Sequence, residues 1–287
     1  MDSSFLCNLV IPGAAKSGTS SLHSVLDAHP AISMSTPKEP QFFSFSDRYE
    51  RGAQYHNSLF KQSRDIEYYG ESSQCYMVHA HALERICKDL VSPRAILLLR
   101  HPVERLVSHY RWNYKLGAEK ESLLRAIDER GEDTSYAPDQ RVGMYRERGG
   151  YLAFSRYSKW VPLWREAVGT ENLLLLRTED LKADQAAVAR KCFEFLGLAE
   201  CRVETEVASN TTAETLRLVP KPVQTLARVL PAGVKKSAAV RRVVNAFRRS
   251  MTRDAPKTLS PRERQIVHDA LETEIAYYDA LPAVDTQ

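Results

Sequence analysis

The chain has 287 residues, of which 43% are hydrophobic and 26% charged, and its formal net charge is +4. This apolar content excludes an intrinsically disordered chain, and 12 Gly and 14 Pro without a period exclude a collagen-like one. No apolar run approaches the roughly 20 residues that a membrane-spanning helix requires, so we expect a soluble protein with a sizeable core.

Cysteine usage and the N-terminus indicate the compartment. The five cysteines form no CxxC pair, and their odd number argues against a disulfide framework. The segment Met1–Ser4 lacks the basic residues of a secretory signal. We therefore expect a reduced, cytoplasmic protein. No group among the eight His and five Cys has metal-ligand spacing, so no metal is expected.

Along the chain, short apolar runs alternate with amphipathic stretches, which is the pattern of βαβ units. The sequence predicts strands over 5–11, 31–34, 95–99 and 172–176, and helices over 19–28, 79–90, 103–115, 151–167 and 184–196. Residues 117–149 read as a polar, loop-rich insertion with one helical stretch near 121–130, and helical patterns recur near 223–249 and 261–280. The expected architecture is a mostly parallel central sheet covered by helices.

The C-terminal segment is strongly basic. Between Arg217 and Arg264 it carries thirteen Lys or Arg and only two acidic residues, Asp254 and Glu263. Such asymmetry predicts contact with an anion, for example a phosphate, an acidic polymer or a membrane surface. A solvated helix face would show the same composition. Phe247 is its only aromatic residue, which disfavours nucleic acid.

The first predicted strand leads into a loop of small residues, Gly13–Ser21, and then directly into a helix. Backbone N–H groups in such a loop approach an anion closely, and the helix N-terminus adds partial positive charge. The candidate ligands of a phosphate are Lys16, Ser17, Gly18, Thr19, Ser20 and Ser21. Lys16 precedes Gly18, whereas a Walker A motif has its lysine after the second glycine. A turn that only caps the helix would look similar.

A second anion site is predicted at the end of another strand. Arg100 follows the apolar run 95–99, and Ser108 lies eight residues later in the next predicted helix. A guanidinium binds phosphate bidentately, and a serine hydroxyl can complete the contact. Two anion sites at the carboxyl ends of strands suit a ligand with phosphate groups at both ends.

These motifs resemble the sulfotransferases that use 3′-phosphoadenosine 5′-phosphosulfate (PAPS), specifically their carbohydrate, heparan-sulfate-related and bacterial branch. The Lys16 loop is similar to the family's 5′-phosphosulfate loop, and Arg100 with Ser108 to its 3′-phosphate motif. Further blocks follow in the family's order: 26–30, 38–43, 52–56, 150–160 and 174–181. The resemblance covers about residues 5–200. It implies a P-loop-like three-layer α/β fold in a single domain, 1–287, with a cofactor-binding core (1–200) and a basic helical tail (201–287).

The resemblance also implies roles. Glu39 corresponds to the family's general base, and nearby phenylalanines could desolvate its carboxylate; the alternative is a surface glutamate paired with Lys38. Lys16 would stabilise charge on the leaving group. Ser72 stands where some relatives carry a second catalytic lysine. His56 is a rival base, and Arg217 a loosely matched phosphate contact.

The expected function is sulfuryl transfer from PAPS to an acceptor hydroxyl, releasing 3′-phosphoadenosine 5′-phosphate (PAP). The acceptor stays open among small molecules, glycans and lipids, with no nucleic acid expected and a peripheral contact of the basic segment with an anionic surface. Two alternatives remain at this point: an ATP-dependent phosphotransferase and a non-catalytic polyanion-binding protein.

Overall fold

The computed structural model of the chain describes residues 4–115, 117–139, 144–201 and 259–284. In chain order the strands are β1 (Leu9–Gly13), β2 (Ile32–Met34), β3 (Tyr68–Ser72), β4 (Arg94–Leu99), β5 (Tyr136–Asp139), β6 (Met144–Glu147) and β7 (Leu173–Arg177). The α-helices are α1 (Thr19–Asp27), α2 (Ser46–Tyr49), α3 (Gly52–Asn57), α4 (Ala80–Asp89), α5 (Pro102–Lys115), α6 (Leu123–Arg130), α7 (Tyr157–Val168), α8 (Thr178–Ala183), α9 (Gln185–Leu196), α10 (Pro261–Ala270) and α11 (Glu272–Asp279).

Five strands form one sheet in the order β2-β3-β1-β4-β7, and every pair in it is parallel. The predicted α/β fold with a central parallel sheet flanked by helices is therefore confirmed. In such a sheet all strands point their carboxyl ends at one edge, and ligands bind beyond that edge. The loops after β1, β3, β4 and β7 all lie there.

The two faces of the sheet bury separate cores because side chains alternate along each strand. In β4, Ala95, Leu97 and Leu99 pack into one core, and Ile96 and Leu98 into the other. Helices α4 and α7 contribute to the first core, and α1 and α9 to the second. The continuous apolar run at 95–99 is thus a strand buried on both faces.

Several elements differ from the prediction. The strand predicted over 5–11 starts at Leu9, while Phe5 packs against the rings of Phe42 and Phe43. Strand β3 was not predicted, because its sequence Tyr-Tyr-Gly-Glu-Ser lacks an apolar run. The insertion contains α6, close to the predicted helix, and an unpredicted antiparallel hairpin of β5 and β6.

The C-terminal part is described only from residue 259. Helices α10 and α11 coincide with the pattern predicted over 261–280, and Ser260 caps α10 in a reciprocal capping box with Glu263. The predicted helix over 223–249, most of the basic segment and Arg217 lie outside the described residues. Within the described part of the chain, no helix is long and apolar enough to cross a lipid bilayer.

Candidate active site

The loop between β1 and α1 is held tightly at the carboxyl edge of the sheet. Gly18 adopts φ 94°, a left-handed conformation that favours glycine, and it precedes the first residue of α1. The Thr178 hydroxyl, at the end of β7, lies 2.6 Å from the carbonyl oxygen of Ser17 and 2.9 Å from that of Leu99. The loop is therefore fastened to both β4 and β7, which fixes where its backbone N–H groups point.

The predicted loop residues differ in exposure. Ser17 and Thr19 are buried, Ser21 is half-buried, and Gly18 and Ser20 are exposed. The exposed members lie at the N-terminus of α1, where partial positive charge favours an anion. The structure thus brings the predicted 5′-phosphate residues together at one helix end.

Lys16 occupies a distinctive position in this loop. Its backbone adopts φ 68°, which is uncommon for a residue with a side chain and is found preferentially at functional sites. Its ammonium lies 3.7 Å from the centroid of the Trp112 ring in α5. Burial lowers the pKa of Lys16 to about 8; the carboxylates of Glu147 and Glu39 oppose the shift, and nearby cations assist it. The side chain is thus a desolvated cation at neutral pH.

Arg100 connects the two predicted anion sites. It follows β4, and its Nη1 donates to the carbonyl oxygen of Lys16 at 3.3 Å. Its Nη2 is 3.8 Å from Glu104, and its buried Nε has no hydrogen-bond partner among the described residues. Ser108 is half-buried on α5, in the helix that starts just after Arg100.

The donor set suits a ligand with several anionic groups. Lys16, the α1 N-terminus and Arg100 are all donors or cations at one edge of the sheet, and the unpaired Nε of Arg100 needs an acceptor. Within the described residues, no group of three or more His, Cys, Asp or Glu is arranged to hold a metal ion. The chemistry that fits here is binding of phosphate-like oxygens by nitrogen and hydroxyl donors.

Glu39 also lies at this edge, in a strained backbone conformation with φ 60°. Its N–H donates to the carbonyl oxygen of Ser72 at the end of β3, at 3.0 Å. Lys38 Nζ lies 2.7 Å from Glu39 Oε1 and 3.5 Å from Thr19 Oγ1, so one lysine joins the carboxylate to the phosphate loop. The side chain of Glu39 is 22% exposed.

Two of the phenylalanines near Glu39 pack around His56. Phe42 and Phe43 are fully buried and pack edge to face against each other and around His56. The partner of the Glu39 carboxylate is instead Lys38, which is the pairing named as the alternative. Glu39 is therefore both ion-paired and placed at the site.

Two other residues singled out in the sequence, His56 and Ser72, have well-defined partners in the structure. His56 is fully buried, and its Nε2 lies 2.9 Å from Oε2 of Glu71. A substrate hydroxyl therefore cannot reach its imidazole. Ser72 is buried, and its hydroxyl lies 3.0 Å from Nδ1 of His23 in α1. Burial lowers the pKa of His23 to about 4, so this imidazole is neutral at neutral pH.

Sequence reasoning missed Glu147. This residue ends β6, its side chain is only 7% exposed, and it bonds His109 of α5 at 3.1 Å. No sequence pattern in the polar insertion indicated this residue, because its position depends on the hairpin of β5 and β6, which was not predicted. Only pairing between β5 and β6 turns this carboxylate toward α5 and the Lys16 loop.

The chain matches known proteins over most of its length. A family profile described as "Sulfotransferase domain" matches residues 7–254. Among solved structures, a sulfotransferase from Alicyclobacillus acidocaldarius aligns with a TM-score of 0.60 and 25% identity, covering 84% of this chain and 98% of that one. Mouse sulfotransferase SULT7A1 complexed with PAP shares the fold, with a TM-score of 0.53, 13% identity and coverage of 96% and 90%.

Curated relatives match more narrowly. Heparan sulfate glucosamine 3-O-sulfotransferase 3A1 of Mus musculus is 24% identical over 203 residues, covering 71% of this chain and 49% of the relative. The membrane-associated sulfotransferase kil1 of Dictyostelium discoideum is 31% identical over 118 residues, or 39% and 25%. The chain therefore spans about half or less of the length of these curated relatives.

Proposed function

The chain belongs to the sulfotransferase family, and on that premise we propose that it transfers sulfuryl groups from PAPS to an acceptor hydroxyl group. The observation that carries this proposal is the bond from Arg100 to the backbone of Lys16. It ties two separate anion-binding elements into one site, as a ligand with phosphates at both ends of a nucleoside requires. Family membership disfavours the phosphotransferase and polyanion-binding alternatives.

The residues divide between the two ends of the cofactor. Lys16, Ser17, Gly18, Thr19, Ser20 and Ser21 would hold the 5′-phosphosulfate, and Arg100 with Ser108 the 3′-phosphate. The unpaired Nε of Arg100 supports this assignment, since a phosphate would supply its missing acceptor. Arg217 stays a prediction as a further phosphate contact.

When bound, PAPS supplies the sulfuryl group, whose sulfur exchanges its bond to the phosphate oxygen for one to the acceptor oxygen, leaving PAP. The protein contributes position and charge, as in phosphoryl transfer. Lys16 stabilises the negative charge that grows on the leaving phosphate because its ammonium is desolvated and close to the loop.

Glu39 takes the proton of the acceptor hydroxyl. Its bond to Ser72 fixes its backbone at the edge of the sheet, and its side chain keeps partial exposure toward solvent. When Glu39 accepts the proton of the acceptor hydroxyl, the hydrogen bond from Lys38 to Glu39 Oε1 must break or weaken. Ser72 stands where some relatives carry a further lysine, and here Lys16 and Lys38 supply the positive charge.

The acceptor is a hydroxylated small molecule, glycan or lipid. From the sequence we expect the insertion 117–149 and the C-terminal segment to contribute to its binding. The organisation as one domain, the cytoplasmic location and the contact of the basic segment with an anionic surface stay predictions from the sequence.

A thermal-shift titration tests the donor. PAP at 100 times its dissociation constant adds about 2.7 kcal/mol, which for a chain of this size raises the melting temperature by roughly 5–10 °C. We expect this shift with PAP, a smaller one with AMP and none specific to ATP with Mg²⁺. A shift only with ATP and Mg²⁺ would overturn the proposal in favour of phosphoryl transfer.

A further inference from the structure

One face of α5 carries a row of three side chains that ends at Lys16. Arg105, His109 and Trp112 are spaced by four and three residues, so they lie next to one another, with Cβ atoms about 5–6 Å apart. Arg105 and His109 are fully buried. Trp112, at the end of this row, contacts the ammonium of Lys16.

The hydrogen bonds along this row run in one direction. Arg105 Nη1 lies 3.3 Å from His109 Nδ1, and His109 Nε2 lies 3.1 Å from Glu147 Oε1. An arginine can only donate, so Nδ1 accepts and the proton of the imidazole is on Nε2, which donates to Glu147. Burial lowers the pKa of His109, and its hydrogen bond lowers the pKa of Glu147 to about 2 despite burial.

This arrangement is anchored at both ends. Arg105 also donates to the Ser155 hydroxyl at 2.6 Å and to the carbonyl oxygen of Tyr151 at 2.5 Å, so it cannot swing away. Glu147 pairs across the hairpin with Tyr136. Directly opposite residues project to the same face, so the hairpin aims both side chains inward. The result is a fixed, ionised carboxylate that belongs to neither predicted anion site.

We propose that Glu147 is a positioning residue of the transfer site, whose carboxylate keeps the Lys16 ammonium charged and seated on Trp112. His109, which bonds Glu147, and Trp112, which contacts Lys16, are three residues apart on the same face of α5. Of the charged side chains that act on Lys16, Glu147 has the largest effect. The inference rests on the proposed function, since it concerns the lysine assigned to the leaving phosphate.

Three other charged side chains act on Lys16, those of Glu39, Lys38 and Arg100. Glu39 and Lys38 approach from the segment after β2 and carry opposite charges in one ion pair. Arg100 approaches from the end of β4 and opposes protonation of Lys16. Of the two carboxylates that act on Lys16, Glu147 is therefore the one that is not already paired with a lysine. Without it, burial and the charge of Arg100 would lower the pKa of Lys16 further.

The test measures PAP affinity from pH 6 to pH 10 for the full chain and for Glu147→Gln. The glutamine keeps an oxygen that accepts from His109, so it removes the charge and preserves the hydrogen bond. In the natural chain, affinity should fall as the pH rises through about 8, the pKa of Lys16. In Glu147→Gln we expect this midpoint to fall by about half a pH unit or more. Glu147→Asp, which keeps the charge, should lie closer to the natural chain.

Two comparisons make the result specific. Glu194→Gln removes an exposed carboxylate that pairs with Lys191 on α9, and it should leave the midpoint unchanged. In a Lys16→Arg variant, PAP affinity should no longer fall as the pH rises through about 8. Adding Glu147→Gln to that variant should leave its pH dependence unchanged. An unchanged midpoint in a folded Glu147→Gln variant would overturn this inference alone. Absence of PAP binding by the natural chain would overturn the proposed function and this inference with it.

Discussion

Lys38 donates to Glu39 at 2.7 Å, and the same ammonium lies 3.5 Å from the Thr19 hydroxyl of the phosphate loop. The two residues are adjacent in sequence, and Glu39 adopts a left-handed backbone conformation. The ion pair is partly exposed, so it contributes little to stability. The pair instead fixes the position of a carboxylate and a cation beside the Gly13–Ser21 loop.

Replacing Glu39 by glutamine should separate binding from turnover. We expect Glu39→Gln to bind PAP with unchanged affinity and to transfer sulfuryl groups about 10²–10⁴-fold more slowly, because only proton removal is lost. Turnover is measured as PAP released from PAPS with a panel of hydroxylated acceptors. Glu50→Gln, an exposed change in the same segment, serves as the control. Full activity of Glu39→Gln would remove Glu39 from the role of base.

Lys16→Ala should weaken PAP binding at pH 6.5, where the lysine is charged, by about 10- to 100-fold. The lost interaction is a desolvated charge at the phosphate loop, so the effect should greatly exceed that of Lys191→Ala on the exposed surface of α9. Calorimetric titration with PAP measures both. Equal affinities of the two variants would mean that the Gly13–Ser21 loop only caps α1.

Arg100 and Ser108 should determine the preference for a 3′-phosphate. We expect Arg100→Gln to lower the ratio of PAP to AMP affinity by about 10- to 100-fold, and Ser108→Ala to lower it by a few-fold, since one contact is charged and the other neutral. Arg94→Gln, at the opposite end of the same strand, should leave the ratio unchanged. A constant ratio in Arg100→Gln would place the 3′-phosphate elsewhere.

The sequence predicted the parts of the site that follow strongly apolar strands. Lys16 and Arg100 come directly after β1 and β4, whose cores are visible as apolar runs, so their convergence at one edge follows from parallel pairing. Strand β3 is half polar, and only its position between β1 and β2 makes it a strand. The Ser72–His23 contact depends on it and could not be foreseen.

The contribution of the insertion could not be predicted for a related reason. The hairpin of β5 and β6 has only four residues in each strand, and a residue of α5, outside the insertion, holds the side chain at its end. The side chain of Glu147 is held by a hydrogen bond with His109, which lies 38 residues earlier in the chain. Local patterns carry no information on such a contact, whereas the phosphate loop is encoded within nine consecutive residues, Gly13–Ser21.

A buried histidine next to this hairpin should make stability depend on pH. His79 lies between the Ser44 hydroxyl, 2.9 Å away, and the Thr134 carbonyl oxygen, 3.2 Å away, and its ring packs against Tyr136. Burial lowers the pKa of His79 to about 4, below the ordinary value of 6.5. The unfolded chain therefore binds this proton first, and the stability that His79 contributes is present above pH 6.5 and lost as the pH falls toward 4.

His79→Gln removes this titration while keeping an N–H that can donate to Thr134. Between pH 7 and pH 5 the unfolding free energy of the natural chain should fall by about 2 kcal/mol more than that of the variant. Urea denaturation at the two pH values measures the difference, and the other histidines contribute equally to both proteins. The variant should be less stable at pH 7, since it loses ring packing against Tyr136, and should approach the natural chain at pH 5. Parallel losses in the two proteins would show that His79 takes up its proton in the folded state as readily as in the unfolded chain.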